Sequence, residues 1–336
     1  MGRILESCIS ATLTFNRFSL VKENLNAICA GEVVPETVLI FDNQSTDGSY
    51  ERLQQFLATE CDAREELPVH KLGGPEEKIQ SCWRFTKKIT DEGDETEILL
   101  VRAMENLFAA GGFATIFELI FNLEGKQYLW VMDDDGYPAS KCLHAMAAAL
   151  SNCSQDYAAV TPLTYCADHK NEIFAPWSGL AAEQLSTKSN DLEDKLSPFN
   201  GSLYRINKIR EVGSPDPRYH IWGDEDDYRF RILAKYRTLC VLSAVYYHPR
   251  LHKYEDYLFG KYSIAPPGRI YYSLRNHTYF RLHRGYNTPF FRMFLKHQLV
   301  SAFFRREHRF RSFILNFLAL YHGAVGDFSN KVNGSK

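Results

Sequence analysis

Long apolar runs are missing from this 336-residue sequence. No stretch approaches the ~20 apolar residues that a bilayer-spanning helix needs, so none is expected. The opening "RILESCISATLTFNR" places Glu6 inside its apolar part, and no secretory leader is expected there. Paired cysteines are missing too. Cys8, Cys29, Cys61, Cys82, Cys142, Cys153, Cys166 and Cys240 form no CxxC pair, and several sit within apolar runs. They read as buried thiols of a reducing compartment, not a disulfide frame or a zinc site. An excess of either charge is missing: 39 Lys/Arg stand against 41 Asp/Glu and the net charge is -2, so overall charge gives no reason to expect a nucleic-acid partner. Internal repeats and low-complexity tracts are absent. Glycine is absent from "TLTFNRFSL" after the first strand. A sugar-phosphate nucleotidyltransferase would want a Gly-rich loop at that point, so that class ranks low.

What is present is an ordinary globular composition, 45% hydrophobic and 24% charged. The length allows one large domain with an appendage or two domains. Apolar strands alternate with amphipathic helices. Strands are expected at Cys8 to Leu13, Val38 to Phe41, "EILLVR" and "YLWVMDDD". Helices follow each, notably "AAGGFATIFELIFNL" with apolar residues at i, i+3, i+4, i+7 and i+8. "PFNGSLYRINKIREVG" predicts a strand and a short helix, "HIWGDEDDYRFRILAKY" a turn and a helix, and "TLCVLSAVYYHP" a strand. Loops are expected from about 165 to 200, including a mobile "STKSNDLEDKLS" at 186–197. Continuous apolar strands joined through helices predict an α/β fold with a mostly parallel sheet covered on both faces.

Ligands bind such sheets beyond the carboxyl ends of the strands. The polar strand ends are Thr14, Phe15, Asn16 and Arg17; Asp42 and Asn43; Arg102; and Asp133, Asp134 and Asp135. The aspartate triplet alone reads as a solvated turn. At the end of a buried strand it reads as a site for a hard divalent cation such as Mg²⁺ or Mn²⁺. Strand alternation would turn Asp133 and Asp135 to one side and Asp134 to the other.

Five motifs in order give the sequence a resemblance to a known family: "TFNR", "DNQSTDGS", "ENLFAAGGF", "MDDDGYP", and "IWGDEDDYRFR" followed by "YYHP". Together they resemble the inverting nucleotide-sugar glycosyltransferases of family 2, with the GT-A fold, over about residues 7–250. The Asn-x(4)-Gly-Gly-Phe element and "WGDEDDY" are most similar to the galactofuranosyl- and rhamnosyltransferase subgroup of bacterial polysaccharide or O-antigen-type synthesis. The resemblance implies a catalytic domain over 1–253, with a nucleotide-sugar half to about 136 and an acceptor half from 137, and a helical region over 254–336. It implies that Thr14, Phe15, Asn16, Arg17, Asp42, Asn43, Arg102, Asn106, Asp133 and Asp134 hold the donor, with Asp42 near the base. Asp133, Asp135 and His248 would bind Mn²⁺ or Mg²⁺, and Trp222 and Asp227 would meet the sugar or acceptor. The implied donor is a UDP-sugar, foremost UDP-galactofuranose, with dTDP-rhamnose the alternative. The implied acceptor is a glycan or lipid-linked saccharide. A non-catalytic sugar-nucleotide or carbohydrate-binding protein on the same fold is the competing class.

The resemblance implies a catalytic base in the acidic group Asp224, Glu225 and Asp226 that opens a helix. Alignment on Tyr228 and Arg231 selects Glu225 and is preferred, because it keeps the apolar face of the helix and the arginine together; alignment on the letters "ED" selects Asp226. Acids at a helix N-terminus are also favoured by the macrodipole alone. After about Lys253 aromatic and basic helices close the chain, and no further strand is expected there. Ten Lys/Arg and one acid, Glu307, fall between Arg269 and Arg311. That tail predicts either docking on an anionic membrane surface or packing on the rest of the chain or on another copy, as a homo-oligomer. The expected location is cytoplasmic, peripheral on the inner membrane face if the tail docks.

Overall fold

The computed structural model describes residues 3–90, 93–175, 191–249, 254–257, 260–263, 265–287, 290–303 and 308–332. The chain divides into two compact units. The first comprises 1–108, 112–215 and 231–250; the second comprises 109–111, 216–230 and 251–336. The acidic segment around 224 thus groups with the C-terminal region.

The first unit is built on one sheet. In chain order its strands are β1 (Arg3–Thr14), β2 (Val33–Asp42), β3 (Ala63–Leu67), β4 (Ile79–Lys88), β5 (Glu95–Ala103), β6 (Tyr128–Asp133), β7 (Tyr137–Pro138), β8 (Tyr157–Cys166), β9 (His169–Ala175), β10 (Leu192–Glu193), β11 (Asn200–Arg205) and β12 (Arg237–His248). The sheet order is β10-β12-β8-β11-β6-β1-β2-β5-β4-β3, with β7 on β12 and β9 on β8. Its centre, β6-β1-β2-β5, is parallel. The middle stretches of these strands (Cys8 to Leu13, Val38 to Phe41, Ile98 to Val101 and Leu129 to Met132) are mostly apolar and buried, as a sheet covered on both faces requires.

Helices α1 (Phe18–Cys29), α2 (Ser49–Glu60), α3 (Phe108–Asn122), α4 (Cys142–Asn152) and α5 (Ile206–Val212) connect the strands. Val21, Leu25 and Ile28 of α1, Leu53 and Leu57 of α2 and Leu143, Met146 and Leu150 of α4 join the sheet in one core. On β1, Thr12 donates to Asn24 of α1 (3.0 Å), while Leu13 meets Gly112 of α3. Successive strand residues point to opposite faces, so α1 and α3 cover opposite sides. A Cβ on Gly112 would lie 2.5 Å from Leu13 Cδ1, so this glycine is a close-packing position.

Three expectations change. Residues 169–175 and 192–193 form strands where loops were expected; of the polar stretch 186–197, residues 186–190 lie outside the described set. The antiparallel pair β3–β4 was not anticipated. "AREEL" is charged and lies at the sheet edge, so it carries little apolar signal. The C-terminal region does hold strands: β13 (Tyr254–Tyr257) pairs antiparallel with β14 (Gly260–Ser263). Four-residue strands with charges between their aromatics show too few repeats to reveal a period.

The second unit contains α6 (Asp224–Leu233), whose last residues belong to the first unit, and α7 (Pro267–Tyr279), α8 (Phe290–Phe303) and α9 (Arg309–Val325). Arg275 of α7 is fully buried, donating to the carbonyls of Arg218 and Tyr219 (both 3.1 Å). Asn276 beside it donates to the Trp222 carbonyl (2.6 Å). These bonds tie the turn before α6 to α7.

Candidate active site

The central strands end side by side. In register, Leu13 faces Asp133, Thr14 faces Asp42, and Asp42 faces Arg102. Parallel pairing therefore assembles the predicted polar ends at one edge of the sheet.

Arg17, just before α1, binds the aspartate turn. Its Nη1 donates to Asp134 Oδ1 (2.9 Å) and to Asp135 Oδ2 (2.8 Å). Thr14 Oγ1 donates to Asp134 Oδ2 (2.7 Å). Asp134 thus does not point away from its neighbours as alternation predicted. β6 ends at Asp133, so the two-residue strand period does not extend over Asp134 and Asp135, which lie in a turn. Burial pushes Asp134 up to about 6 against the pull of Arg17. Burial would also raise Asp135, but His248 and Arg17 together hold it below the usual carboxylate range.

His248 closes the group from the end of β12. Its Nε2 lies 3.0 Å from Asp135 Oδ1, and its Nδ1 lies 2.8 Å from the Pro249 carbonyl. The carbonyl can only accept, so it fixes the proton on Nδ1 and aims Nε2 at the carboxylate. Two acceptor atoms about 3 Å apart need a proton or a cation between them. That separation suits two neighbouring ligands of an ion with bonds of about 2.1 Å. Among the described residues no group of three or more His, Cys, Asp or Glu side chains could hold a metal. Mg²⁺-type sites are commonly completed by substrate phosphates and water, so an Asp–His pair fits such a shared ion. Asp133 begins the turn, its amide bonded to the Phe199 carbonyl (2.9 Å).

The second strand end forms a neighbouring cradle. Asp42 is 1% exposed; its Oδ2 accepts from the Ser45 amide (3.0 Å) and lies 3.8 Å from Arg102 Nε. Its Oδ1 is buried and has no hydrogen-bond partner among the described residues. Burial outweighs Ser45 and Arg102 and raises the Asp42 carboxyl. Arg102 also donates to Glu51 (3.1 Å) and the Ser45 carbonyl (3.2 Å), and stacks 4.4 Å from the Tyr50 ring centre. Asn16 adopts φ 57° and exchanges bonds with Thr46, accepting from its amide (2.7 Å). Asn43 accepts from the Leu107 amide (2.9 Å) and lies 3.4 Å from Asn106 Oδ1. Phe15 is half-exposed beside them in sequence. Asp47, one residue before the Gly48 N-cap of α2, accepts from the Ser49 amide (2.9 Å).

Sequence reasoning missed several supports. Asn24 donates to the Gly136 carbonyl (2.7 Å), pinning the turn after the aspartates. Tyr246 packs so tightly on Gly136 that a Cβ there would stand 2.4 Å from its ring. Ser45, Tyr50 and Glu51 hold the Asp42–Arg102 cradle, and Thr46 holds Asn16. Ser45 and Thr46 lie inside the quoted "DNQSTDGS" motif and were open to notice; Asn24 and Tyr246 carry no local signal.

In the second unit, four acids open α6 and meet four different surroundings. Asp227 is fully buried, accepting from Tyr219 Oη (3.1 Å) with Arg284 Nε 3.9 Å away. Asp226 pairs with Arg229 (2.8 Å) and lies 3.4 Å from His277 Nε2. His277 and Arg229 hold Asp226 below its ordinary range although burial opposes them. Asp224 is buried, and loss of water pushes it up to about 7. Glu225 is half-buried. Trp222 sits before the helix at φ 57°, with the Arg269 guanidinium 5.9 Å from its ring centre.

This fold is that of the GT-A glycosyltransferases. The S. aureus TarS 1-349 structure in complex with UDP-GlcNAc aligns with a TM-score of 0.51 at 11% identity, over 96% of this chain and 88% of that one. GalNAc-T7 with UDP, GalNAc and Mn²⁺ aligns at 0.54 and 10% identity, over 97% of this chain and 58% of that one. In sequence, galactofuranosyltransferase GlfT1 of Mycobacterium tuberculosis is 29% identical over 188 residues, 52% of this chain and 60% of that protein. The Mycolicibacterium smegmatis GlfT1 is 31% identical over 157 residues, 43% and 51% respectively. The matches thus span less than two thirds of those relatives. No family model matches the chain. Both comparisons place glycosyltransferases around this protein, in agreement with the ordered motifs.

Proposed function

We propose that this chain is a metal-dependent inverting glycosyltransferase whose donor is a UDP-sugar, foremost UDP-galactofuranose. The acceptor is a hydroxyl of a glycan or lipid-linked saccharide in bacterial polysaccharide synthesis. The observation that carries this reading is the strand-end cluster: Arg17, Asp134, Asp135 and His248 interlocked beside the Asp42–Arg102 cradle. Galactofuranosyltransferase relatives support the sugar, and the UDP complexes of TarS and GalNAc-T7 support the nucleotide.

In this reading the open Asp42 Oδ1 accepts the imide N–H of a pyrimidine base, which uracil and thymine share. Asn16, Asn43, Arg102 and Asn106 line the donor. Asp135 and His248, with Asp133, hold Mn²⁺ or Mg²⁺, an ion that supplies charge compensation to a departing diphosphate. Arg17 restrains the aspartates and adds its own positive charge.

Glu225 serves as general base. It takes the acceptor proton while the acceptor oxygen bonds to the anomeric carbon and the bond to the diphosphate oxygen breaks, inverting that carbon. Asp226, gripped by Arg229 and His277, has a lowered proton affinity and is the poorer base. Asp227 is committed to Tyr219 and positions the helix. Trp222 contributes the acceptor surface.

Thermal-shift measurements with UDP-, dTDP- and GDP-sugars, each with Mn²⁺ or EDTA, test the donor half of the reading. Stabilisation by the UDP-sugar with Mn²⁺ alone is the expected result. A response to dTDP-rhamnose alone moves the assignment to rhamnosyl transfer. Binding without transfer to any acceptor moves it to a non-catalytic sugar-nucleotide binder, and silence with all three refutes it.

A further inference from the structure

Helix α9 is amphipathic in the inverted sense. Its fully buried residues are Ser312, Asn316, Ala319 and Gly323, flanked by half-buried Leu315 and Leu320 that pack on the core of this unit. Gly323 lies so close to α7 that a Cβ would stand 2.4 Å from the Arg275 carbonyl oxygen. Asn316 donates to Gln298 of α8 (3.1 Å). The outer face carries Phe310 (77% exposed), Phe313, Ile314, Phe317 (50%), Leu318 and Tyr321. A helix at a water-facing surface puts large apolar side chains inward and polar ones outward. Here small and polar residues make the close inward contact, as in helix pairs surrounded by lipid. Leu295 and Leu299, one turn apart on α8, are exposed as well. A patch of this kind marks an interaction site.

The charge around it selects the occupant. Residues 290–325 contain six Lys/Arg (Arg292, Lys296, Arg305, Arg306, Arg309, Arg311) against Glu307 alone. Arg292 and Arg311 are exposed. A second copy meeting this face across a two-fold axis would set positive charge on positive charge. An anionic bilayer surface complements both the apolar face and the arginines. α9 has 17 residues, roughly 25 Å, and no described helix is long and apolar enough to cross a membrane. The geometry is that of a helix lying in the interface plane.

We infer that α8 and α9 dock this protein on bilayers containing anionic phospholipid, with the outer face of α9 in the acyl boundary and the arginines against headgroup phosphates. This stands on the helix surface and is independent of the transferase reading. Flotation of the full chain tests it, with vesicles of phosphatidylcholine alone or mixed with phosphatidylglycerol, at low salt and at high salt. The wild type rises with the mixed vesicles, and high salt weakens that binding. Arg292→Gln with Arg311→Gln lowers partitioning by roughly 30-fold, about fivefold for each basic residue. Phe310→Ser with Ile314→Ser abolishes flotation while thermal stability stays near wild type, since both side chains are exposed. Three results overturn the inference: no flotation of wild type with mixed vesicles; equal flotation with and without phosphatidylglycerol; or a dimer in light scattering that the Phe310/Ile314 variant converts to monomer. If the serine variant fails to fold, the arginine pair still decides the matter.

Discussion

Asp224 offers a test in which direction, size and pH window all follow from one buried carboxyl. It is 4% exposed at the start of α6, and burial lifts it from 3.8 to about 7. Below about pH 4 the group is protonated whether the chain is folded or not, and it costs nothing. Between about 4 and 7 the unfolded chain gives up the proton while the folded protein keeps it, so stability falls as pH rises. Above about 7 both states are ionised and the penalty is constant. At about 1.4 kcal/mol per pH unit the plateau is roughly 4 kcal/mol. Asp224→Asn removes the charge but keeps an amide oxygen to accept from the backbone N–H groups that the carboxylate engages.

The variant is therefore expected to be more stable than wild type at pH 8, by several degrees in Tm. The gain should shrink steadily toward pH 4.5. Thermal melts of both proteins in EDTA across pH 4.5–8.5 provide the measurement. A variant that melts below wild type at pH 8, or a difference that does not change with pH, refutes the argument. The first result would mean that the fold stabilises the Asp224 carboxylate by more than burial costs it, and the second that the two balance.

Separate Glu225→Gln and Asp226→Asn variants should differ: loss of the base is expected to reduce transfer by about 10²–10⁴-fold, and Asp226→Asn by much less. Near-full transfer by Glu225→Gln with loss in Asp226→Asn would move the base by one residue. EDTA should abolish transfer and Mn²⁺ or Mg²⁺ restore it, with His248→Ala needing more metal for half-maximal activity; full activity in chelator removes Asp135 and His248 from that role. Gly136→Ala should lower stability by about 1–3 kcal/mol, because its methyl group would stand 2.4 Å from the rigid Tyr246 ring; urea melts of the two proteins measure this, and an unchanged midpoint shows that the ring can move.

The parts of the site that were legible share one property: their placement follows from strand direction. Once Cys8 to Leu13, Val38 to Phe41, "EILLVR" and "YLWVM" read as parallel strands, Thr14, Asp42, Arg102 and Asp133 had to end together. What was illegible depends on where regular structure stops or on partners remote in sequence. Alternation misplaced Asp134 because β6 ends one residue earlier. Asn24 and Tyr246 buttress the same turn from 112 and 110 positions away, by subtraction of residue numbers, and neither has a local pattern to announce it.

The acidic helix and the tail expose a deeper limit. Letters state chemistry but not burial, and burial decides what the chemistry does. Asp224, Asp226 and Asp227 are the same side chain within four positions. One is desolvated toward neutrality, one is paired with Arg229 and His277, and one is committed to Tyr219. The 3.6-residue period likewise divides α9 into a small-residue face and a large apolar face, but it cannot say which face turns inward. Burial tends to follow apolarity, and that rule would have placed Phe313 and Phe317 inside and Ser312 and Asn316 outside. The close approach of Gly323 to Arg275 reverses the choice: only a face without bulky side chains lets the two helix backbones meet. The large side chains left outside are thus a consequence of packing on α7: Phe317 rests edge-on against Phe294 of α8, and Phe310, Phe313 and Tyr321 stay exposed among the described residues.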